Sequence, residues 1–341
     1  SHESFARFSV EWHGISANPK QQDGLLDVIE RLQAAPIPAT VLEKDILPAR
    51  IFNYQPTDLD ALLASGEVVW IGIRPTGNKD GRVALYTSSH LDLLASKVEP
   101  LEGEIYDSIR SALKDSGAAF FSHLHGQVGG LPADLLTKLW DLVWHGEVSN
   151  DSLVPLRNLL RGTQKRGSSH RRRLRFRSAR PTGLPGSEGR WWLVSERRSR
   201  LAMPSTDKRM AMAQQLLERH GVFTREAVSM EELNGGFSAV YPILKALEES
   251  GQVRRGYFVE GLGATQFAVP GAEDLLRSHR DEEEELQAVC LAATDPANPY
   301  GAALPWPSEL SGRPERSPGA RVVIANGKLI AFISRSGKSM N

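Results

Sequence analysis

Three times along the chain an apolar, helix-prone stretch ends in Gly, then Glu or Gln, then Val. The copies are LDALLASGEVVWIG with Gly66, Glu67 and Val68, LLTKLWDLVWHGEVSND with Gly146, Glu147 and Val148, and YPILKALEESGQVRRGYF with Gly251, Gln252 and Val253. Glycine leaves a helix through a left-handed backbone at the lowest steric cost. A β-prone run follows the first and third copies at once. A junction of this kind turns a helix directly into a strand. Its recurrence points to tandem small units, not to one large core.

Two further helical patterns precede each copy. In the third, DKRMAMAQQLLERHG places Met210, Ala213, Leu216 and Leu217 on one helical face. A short helix around TREAVS follows, with Thr224 as its N-cap and Ala227 and Val228 facing inward. Gly235 and Gly236 make the turn into the last helix, whose buried stripe is Phe237, Val240, Leu244 and Leu247. Ser238, Tyr241 and Lys245 lie off that stripe. Pro242 is tolerated only in a first turn, so this helix is expected to begin between Ala239 and Tyr241. Two strand-like runs, QVRRGYFVE and ATQFAVP, come next, with Gly261-Leu262-Gly263 between them.

Helix, helix, helix, strand, wing, strand is the order of a winged helix-turn-helix. The first copy repeats it with GLLDVIERLQ, ATVLEKDIL and TDLDALLAS as helices, then VVWIGIR and RVALYT as strands. The fold class expected is α+β: tandem winged helix-turn-helix modules over 1–100, 101–202 and 203–272, followed by a small β-rich segment over 273–341. That last segment holds RVVIANGKLIAFISR, two β-prone runs around the hairpin signal Asn326-Gly327. Before it, prolines crowd ATDPANPYGAALPWP and preclude regular helix.

The second module differs in its wing, which runs from Val148 to Val194 and is strongly basic. The formal net charge of the 341 residues is +0, yet the stretch from Arg161 to Arg200 holds thirteen Lys or Arg against Glu188 and Glu196. That local excess is the electrostatic footprint of a phosphate-binding surface, with a solvated basic loop as the alternative. Lys165, Arg166, Arg171, Arg172, Arg173, Arg175 and Arg177 are the candidate phosphate contacts, and Phe176, Trp191 and Trp192 interleave with them as possible stacking surfaces. Of the two adjacent tryptophans, at least one is expected in the core. Ser238, Tyr241 and Lys245 on the third module's last helix are further candidates. Arg254 and Arg255, with Tyr257, fall on the strand leading to its wing, where they are either backbone contacts or ordinary strand charges.

Other motifs point away from chemistry. Gly337-Lys338-Ser339 resembles the end of a phosphate-binding loop, but Phe332 stands where that loop needs Gly. Asp281 to Glu285 has no apolar strand before it and is read as a solvated acidic run. His123 and His125 sit two apart, which on a helix points them away from each other, and no metal site is expected there or at His145. Cys290 is the one cysteine, so a disulfide within the chain is impossible. Asp295 before Pro296, near Tyr300 and Trp306, is either a turn cap or a carboxylate for excising a base. No apolar run reaches the length of a membrane span, and the start at Ser1 reads as a cut from a longer chain.

Several blocks together resemble the C-terminal region of Lhr, the large helicase-related proteins of bacteria. They are VLEKDILPARI, LVWHGEVSNDSLVPLR, GGFSAVYPILKALEESGQVRRGYFVEGLGATQFAVPGA and LAATDPANPYGAALPWP, and they follow the family's order along nearly the whole chain. The resemblance implies a superfamily-2, ATP-dependent, 3′-to-5′ DNA helicase of DNA repair, cytoplasmic and nucleoid-associated. ATP and Mg would belong to its motor domains, upstream of Ser1, and this region would need no cofactor. Its partners would be DNA, the motor domains of the same chain and further copies of itself, and no membrane. An enzyme reading stands beside this: related tandem winged-helix arrays include DNA glycosylases, although their catalytic motif maps onto no position here. A winged-helix transcriptional regulator is the third reading.

Overall fold

The computed structural model describes residues 1–15, 24–77, 80–164, 183–198, 204–231, 233, 235–263, 265–280, 287–308, 310 and 313–337. Helix α1 (His2–Trp12) comes first. A first pass of elements follows: α2 (Leu25–Leu32), β1 (Ile37–Pro38), α3 (Ala39–Val41) running into a π-helical turn, α4 (Pro56–Ser65), β2 (Val68–Pro75) and β3 (Gly81–Thr87). After α5 (Leu91–Leu94) a second pass comprises α6 (Glu104–Ser116), β4 (Ala119–Phe120), α7 (Phe121–Val128), α8 (Pro132–Trp144), β5 (Val148–Asn150), α9 (Val154–Gln164), β6 (Arg190–Leu193) and α10 (Val194–Arg197). The third comprises α11 (Ser205–His220), β7 (Val222–Phe223), α12 (Val228–Glu231), α13 (Gly236–Glu249), β8 (Arg254–Gly256) and β9 (Gln266–Ala268). Last come α14 (Ala272–Ser278), β10 (Ala288–Ala292), β11 (Arg321–Ala325) and β12 (Lys328–Ile333).

Each pass therefore runs helix, strand, helix, helix, strand, strand, the winged-helix order, with α9 inserted between the last two strands of the second. The added element in each is a two-residue strand before the second helix. Such a strand is too short to show a period of two, so the sequence does not announce it. The chain forms two compact units, one of Ser1–Tyr54 with Met203–Asn341 and one of Gln55–Ala202.

The repeated Gly-Glu/Gln-Val signal has a geometric cause. Gly66, Gly146 and Gly251 have φ of 78, 84 and 75°, all left-handed. At the end of α8 the Gly146 amide donates to the Val143 carbonyl and the Glu147 amide to that of Leu142, each at 3.0 Å. At the end of α13 Gly251 and Gln252 do the same to Glu248 and Leu247, at 2.9 Å each. These paired bonds form a Schellman cap, which satisfies carbonyls a helix end would leave orphaned. The valines that follow are buried, at 1, 0 and 5% exposure, and start the run toward the strand.

In the unit of residues 55–202, β6 lies between β4 and β5. Ala119 pairs with Trp191, and Ser149 with Trp192. Asp151 and Arg190 close the neck of the wing: the Asp151 amide donates to the Arg190 carbonyl at 3.2 Å, and Arg190 donates its amide and Nε to the Asp151 carboxylate at 2.9 and 2.7 Å. The Glu147 carboxylate, on the second copy of the repeat, accepts from Arg110 Nε at 2.7 Å and from the Leu101 amide at 2.8 Å. That hydrogen bond, against the opposing cost of burial, raises the Arg110 pKa.

In the other unit β9 lies between β7 and β8. Its winged-helix core is Ala213, Leu216, Leu217, Phe223, Ala227, Val240, Leu244, Leu247, Val253 and Phe267, with Met210 and Phe237 packed against it. The face read from the sequence is thus the buried one. Thr224 caps as expected, its hydroxyl accepting from the Ala227 amide at 3.3 Å. The start of α13 is a correction. The helix begins at Gly236, so Pro242 lies inside it and not in its first turn. Proline has no N–H for the Ser238 carbonyl, and both residues are exposed, where solvent can serve that group.

Gln215 and Arg219 on α11 reach the C-terminal end of α2. Gln215 Nε2 donates to the Glu30 and Arg31 carbonyls at 2.9 and 3.1 Å, and Arg219 donates to the Gln33 carbonyl. Side chains thereby replace the donors that α2 lacks. Arg219 is itself paired with Glu231, whose other oxygen contacts His220 Nε2 at 2.5 Å.

The segment after α14 forms a three-stranded antiparallel sheet in the order β10-β11-β12. Asn326 and Gly327 both have positive φ, 46 and 83°, the type I′ turn that Asn-Gly favours. The proline-rich stretch is non-helical as expected. Arg316 holds it, donating to the carbonyls of Asn298, Tyr300 and Asp295 at 2.7, 3.0 and 2.9 Å. Helix α1 joins this sheet through Phe5 and Phe8, which share a core with Tyr300, Val322, Ile324 and Phe332.

Candidate nucleic-acid interface

The third winged helix presents α13 as its recognition-position helix and β8 as the edge strand beside the wing. Ser238 and Lys245 are exposed on α13. Tyr241 is not a free surface residue. Its ring lies 5.7 Å from Phe237 and 6.2 Å from Phe267, so it covers the core that the stripe begins. The reason is the wide apolar face of α13, which takes in the position between Phe237 and Leu244.

Arg254 and Arg255 are neighbours on a strand and point to opposite sides. Arg254 is 75% exposed and pairs with Glu273 of α14 at 2.9 Å. Arg255 approaches Glu248 of α13 at 3.7 Å, and Lys245 approaches Glu249 at 3.5 Å. Lys245 and Arg255 are thus brought to the same end of α13, while Arg254 is tied elsewhere. Ion pairs this exposed contribute about 0–1 kcal/mol, so a phosphate can take the place of the carboxylate at small cost. Tyr257, at the base of the wing, is 81% exposed.

The wing of this module is closed by a residue that sequence reading passed over. Gln266 is fully buried; its side-chain oxygen accepts from the Phe258 and Val259 amides at 2.9 and 2.8 Å, and its nitrogen donates to the Val259 carbonyl at 2.8 Å. A glutamine acting as a surrogate strand has no sequence signature. Its only hint is its place in an otherwise apolar run.

For the second winged helix, Lys165, Arg166, Arg171, Arg172, Arg173, Arg175, Arg177 and Phe176 lie outside the described residues. In the sequence they fall between α9 and β6. Trp191 and Trp192 are both core, at 0 and 2% exposure, so neither offers a face to a base. The sheet buries one against Trp140, 5.5 Å away edge to face, and Arg197 covers the other at 4.2 Å from its ring centre. On α8 Pro132, Ala133, Asp134 and Thr137 are exposed, and the cation beside them, Lys138, is paired with Asp141 at 3.2 Å.

Asp295 is wholly buried and forms a two-pronged pair with Arg50, at 2.7 and 3.0 Å. Its Oδ1 also accepts from the Ala297 amide at 2.8 Å. This is the turn-capping arrangement, and the carboxylate has no path to a base. Residues around Gly337 do not suit a nucleotide phosphate either. Phe332 is a buried member of β12 paired with Val322, where a phosphate-binding loop would need a flexible glycine. Lys338 lies outside the described residues. Among the described residues no helix is long and apolar enough to cross a membrane.

Comparison with known proteins agrees with this architecture. Residues 1–88 and 202–288 each match a family model described as "Large helicase-related protein, winged-helix domain". An "Lhr helicase/ probable uracil glycosylase" of Mycolicibacterium smegmatis is 41% identical over 360 residues, covering 100% of this chain and 24% of the relative. An "Lhr helicase/uracil glycosylase" of Escherichia coli is 35% identical over 345 residues, covering 93% of this chain and 22% of the relative. The chain spans about a quarter of the length of these curated relatives. With winged-helix domains of this description at two places and similarity to two such proteins over 100% and 93% of its own length, the chain belongs to the large helicase-related (Lhr) family.

Proposed function

We propose that this chain is a non-motor, nucleic-acid-binding part from the C-terminal side of an ATP-dependent 3′-5′ DNA helicase acting in DNA repair. The observation that carries the reading is the basic stretch from Arg161 to Arg200, thirteen Lys or Arg against two Glu, most of which falls in the sequence between the last helix before β6 and β6 itself. A wing is a place where such modules meet nucleic-acid backbone. Binding ATP and Mg falls to the motor portion, and self-association and docking onto that portion belong to the same reading, as does a cytoplasmic, nucleoid-associated location.

The test is the salt dependence of DNA binding by the full chain. Replacing Arg171, Arg172, Arg173 and Arg175 by Ala should weaken binding to every sequence alike and lower the log–log salt slope by up to about four. The Arg254→Ala, Arg255→Ala double variant should lose less, because fewer charges go and each already has a carboxylate partner. An unchanged affinity and slope in the fourfold variant would move the interface to the exposed Ser238 and Lys245 of α13.

The relatives are described as an Lhr helicase/probable uracil glycosylase and an Lhr helicase/uracil glycosylase, which favours base excision as a second reading. Alkali-labile cleavage of a uracil-containing oligonucleotide by the chain would establish it. The burial of Asp295 against Arg50 means that the catalytic group must be sought elsewhere.

A further inference from the structure

Just past the C-terminal end of α1, His13 is 1% exposed, and among the described residues neither of its ring nitrogens has a hydrogen-bond partner. We propose that His13 is a proton-operated latch: neutral, it seats the end of α1 on α11, and protonated it unseats that end.

The contacts beside His13 define what the latch closes. Its neighbour Trp12 donates the indole N–H to the Glu218 carbonyl of α11 at 2.8 Å. The Trp12 ring also covers Gly221, where a Cβ would lie 2.6 Å from it. Gly221, with a φ of 63°, makes the turn from α11 into β7 of the third winged helix. Ile15, two residues after His13, is buried in the core that α1 shares with the last sheet. Seating the end of α1 therefore also seats the α11–β7 turn.

The groups around the ring are basic. His13 meets His220 of α11 edge to face at 6.5 Å. The positive charges of Arg50, Arg31 and Arg219 bear on it from the turn before α4, from α2 and from α11. The carboxylates of this cluster are already engaged. Arg50 holds both oxygens of Asp295, while Arg219 and His220 share Glu231. A proton taken up by His13 would thus place one more buried cation among cations, with the neighbouring carboxylates committed elsewhere.

The carbonyl end of α1 works the other way, since it favours a cation. Burial first, and then Arg50, His220, Arg31 and Arg219, outweigh it and hold the imidazole well below its ordinary 6.5. The unseated turn accepts a proton that the seated one refuses. Docking is therefore fully present above pH 6.5 and weakens as the pH falls below it. His279, just after α14, contacts Glu11 of α1 at 2.8 Å. Its protonation strengthens that pairing and acts in the opposite direction.

The experiment follows amide hydrogen exchange of the full chain by mass spectrometry at pH 7, 6 and 5, corrected for the intrinsic effect of pH. Amides from Val10 to Ile15 should lose protection by up to about tenfold between pH 6 and 5, one proton per opening, while β11 keeps its own. His13→Phe, which keeps a flat ring, and His13→Gln, which keeps a polar group, should each hold constant protection across that range. His279→Gln should lose protection as the native chain does. Deuteration of the imidazole C2 in the native chain needs no variant, and His13 should titrate there below 6.5. Constant protection in the native chain would overturn the proposal. So would a loss that persists in a folded His13 variant, or a His13 midpoint at or above 6.5.

Discussion

Replacing Glu231 by Gln removes the charge that Arg219 faces while keeping the side chain's shape. Both side chains are buried, at 5 and 1% exposure, and Arg219 also supplies donors to the end of α2. Breaking a buried pair from one side leaves an uncompensated charge, at a cost of about 3–5 kcal/mol. Titration gives a second figure. Burial alone would raise the Glu231 pKa, but the Arg219 charge and then the His220 hydrogen bond outweigh it and bring the value from 4.5 to about 2. A difference of that size corresponds to about 3 kcal/mol. Because the folded pKa lies below the unfolded one, this stability is fully present above pH 4.5 and is lost as pH falls toward 2. Urea unfolding of both proteins, followed by far-UV circular dichroism at pH 6, 4 and 3, reads the difference. The gap should be about 3 kcal/mol at pH 6 and shrink to about 1 kcal/mol at pH 3. A gap that stays constant over that range would show that Glu231 is not held as a charged partner, and the argument would fail.

Two further outcomes follow from the same geometry. Gly251→Ala meets no atom within 4 Å and should cost only the left-handed strain of about 1 kcal/mol, whereas Gly146→Ala should cost more, because its Cβ would lie 3.1 Å from the Gly72 carbonyl. Thermal unfolding of the two variants ranks them, and equal losses would refute the packing argument. Asp295→Asn should destabilise the chain by about 3 kcal/mol through Arg50 while leaving nucleic-acid affinity of the folded protein unchanged, as read by denaturation and by titration with DNA.

Much of this architecture is legible in the sequence because it rests on local rules. The glycines after α4, α8 and α13 mark a backbone conformation, and Asn326-Gly327 marks a turn, so both can be read without knowing what packs where. The stripe on α11 shows the same thing for a buried face. What is not legible depends on distant partners. Tyr241 looks polar enough for a surface, yet its ring packs over the buried Phe267 of the wing strand. Trp191 and Trp192 sit among cations in sequence and within the core in space. Gln266 and Arg316 do structural work through carbonyls that no local pattern identifies. The place of Pro242 inside α13 is not legible for a simpler reason: an exposed helix face tolerates the missing N–H that a buried one would not.

The Asp151–Arg190 neck has a consequence for how the second winged helix can vary. Strands β5 and β6 are paired up to that point, and the hydrogen bonds of the neck hold the chain ends together whatever lies between them. The entropy of closing a loop grows only with the logarithm of its length, at about 0.6 kcal/mol for each doubling. Residues such as Leu153, Leu156, Arg157 and Gly186 pack into the domain, but changes of length or charge at 165–182 alter the entropy of closure only slightly. Selection can lengthen the wing or exchange its arginines while the strands, the caps and the tryptophan core stay as they are. Binding strength and fold stability become separately adjustable properties of one small module.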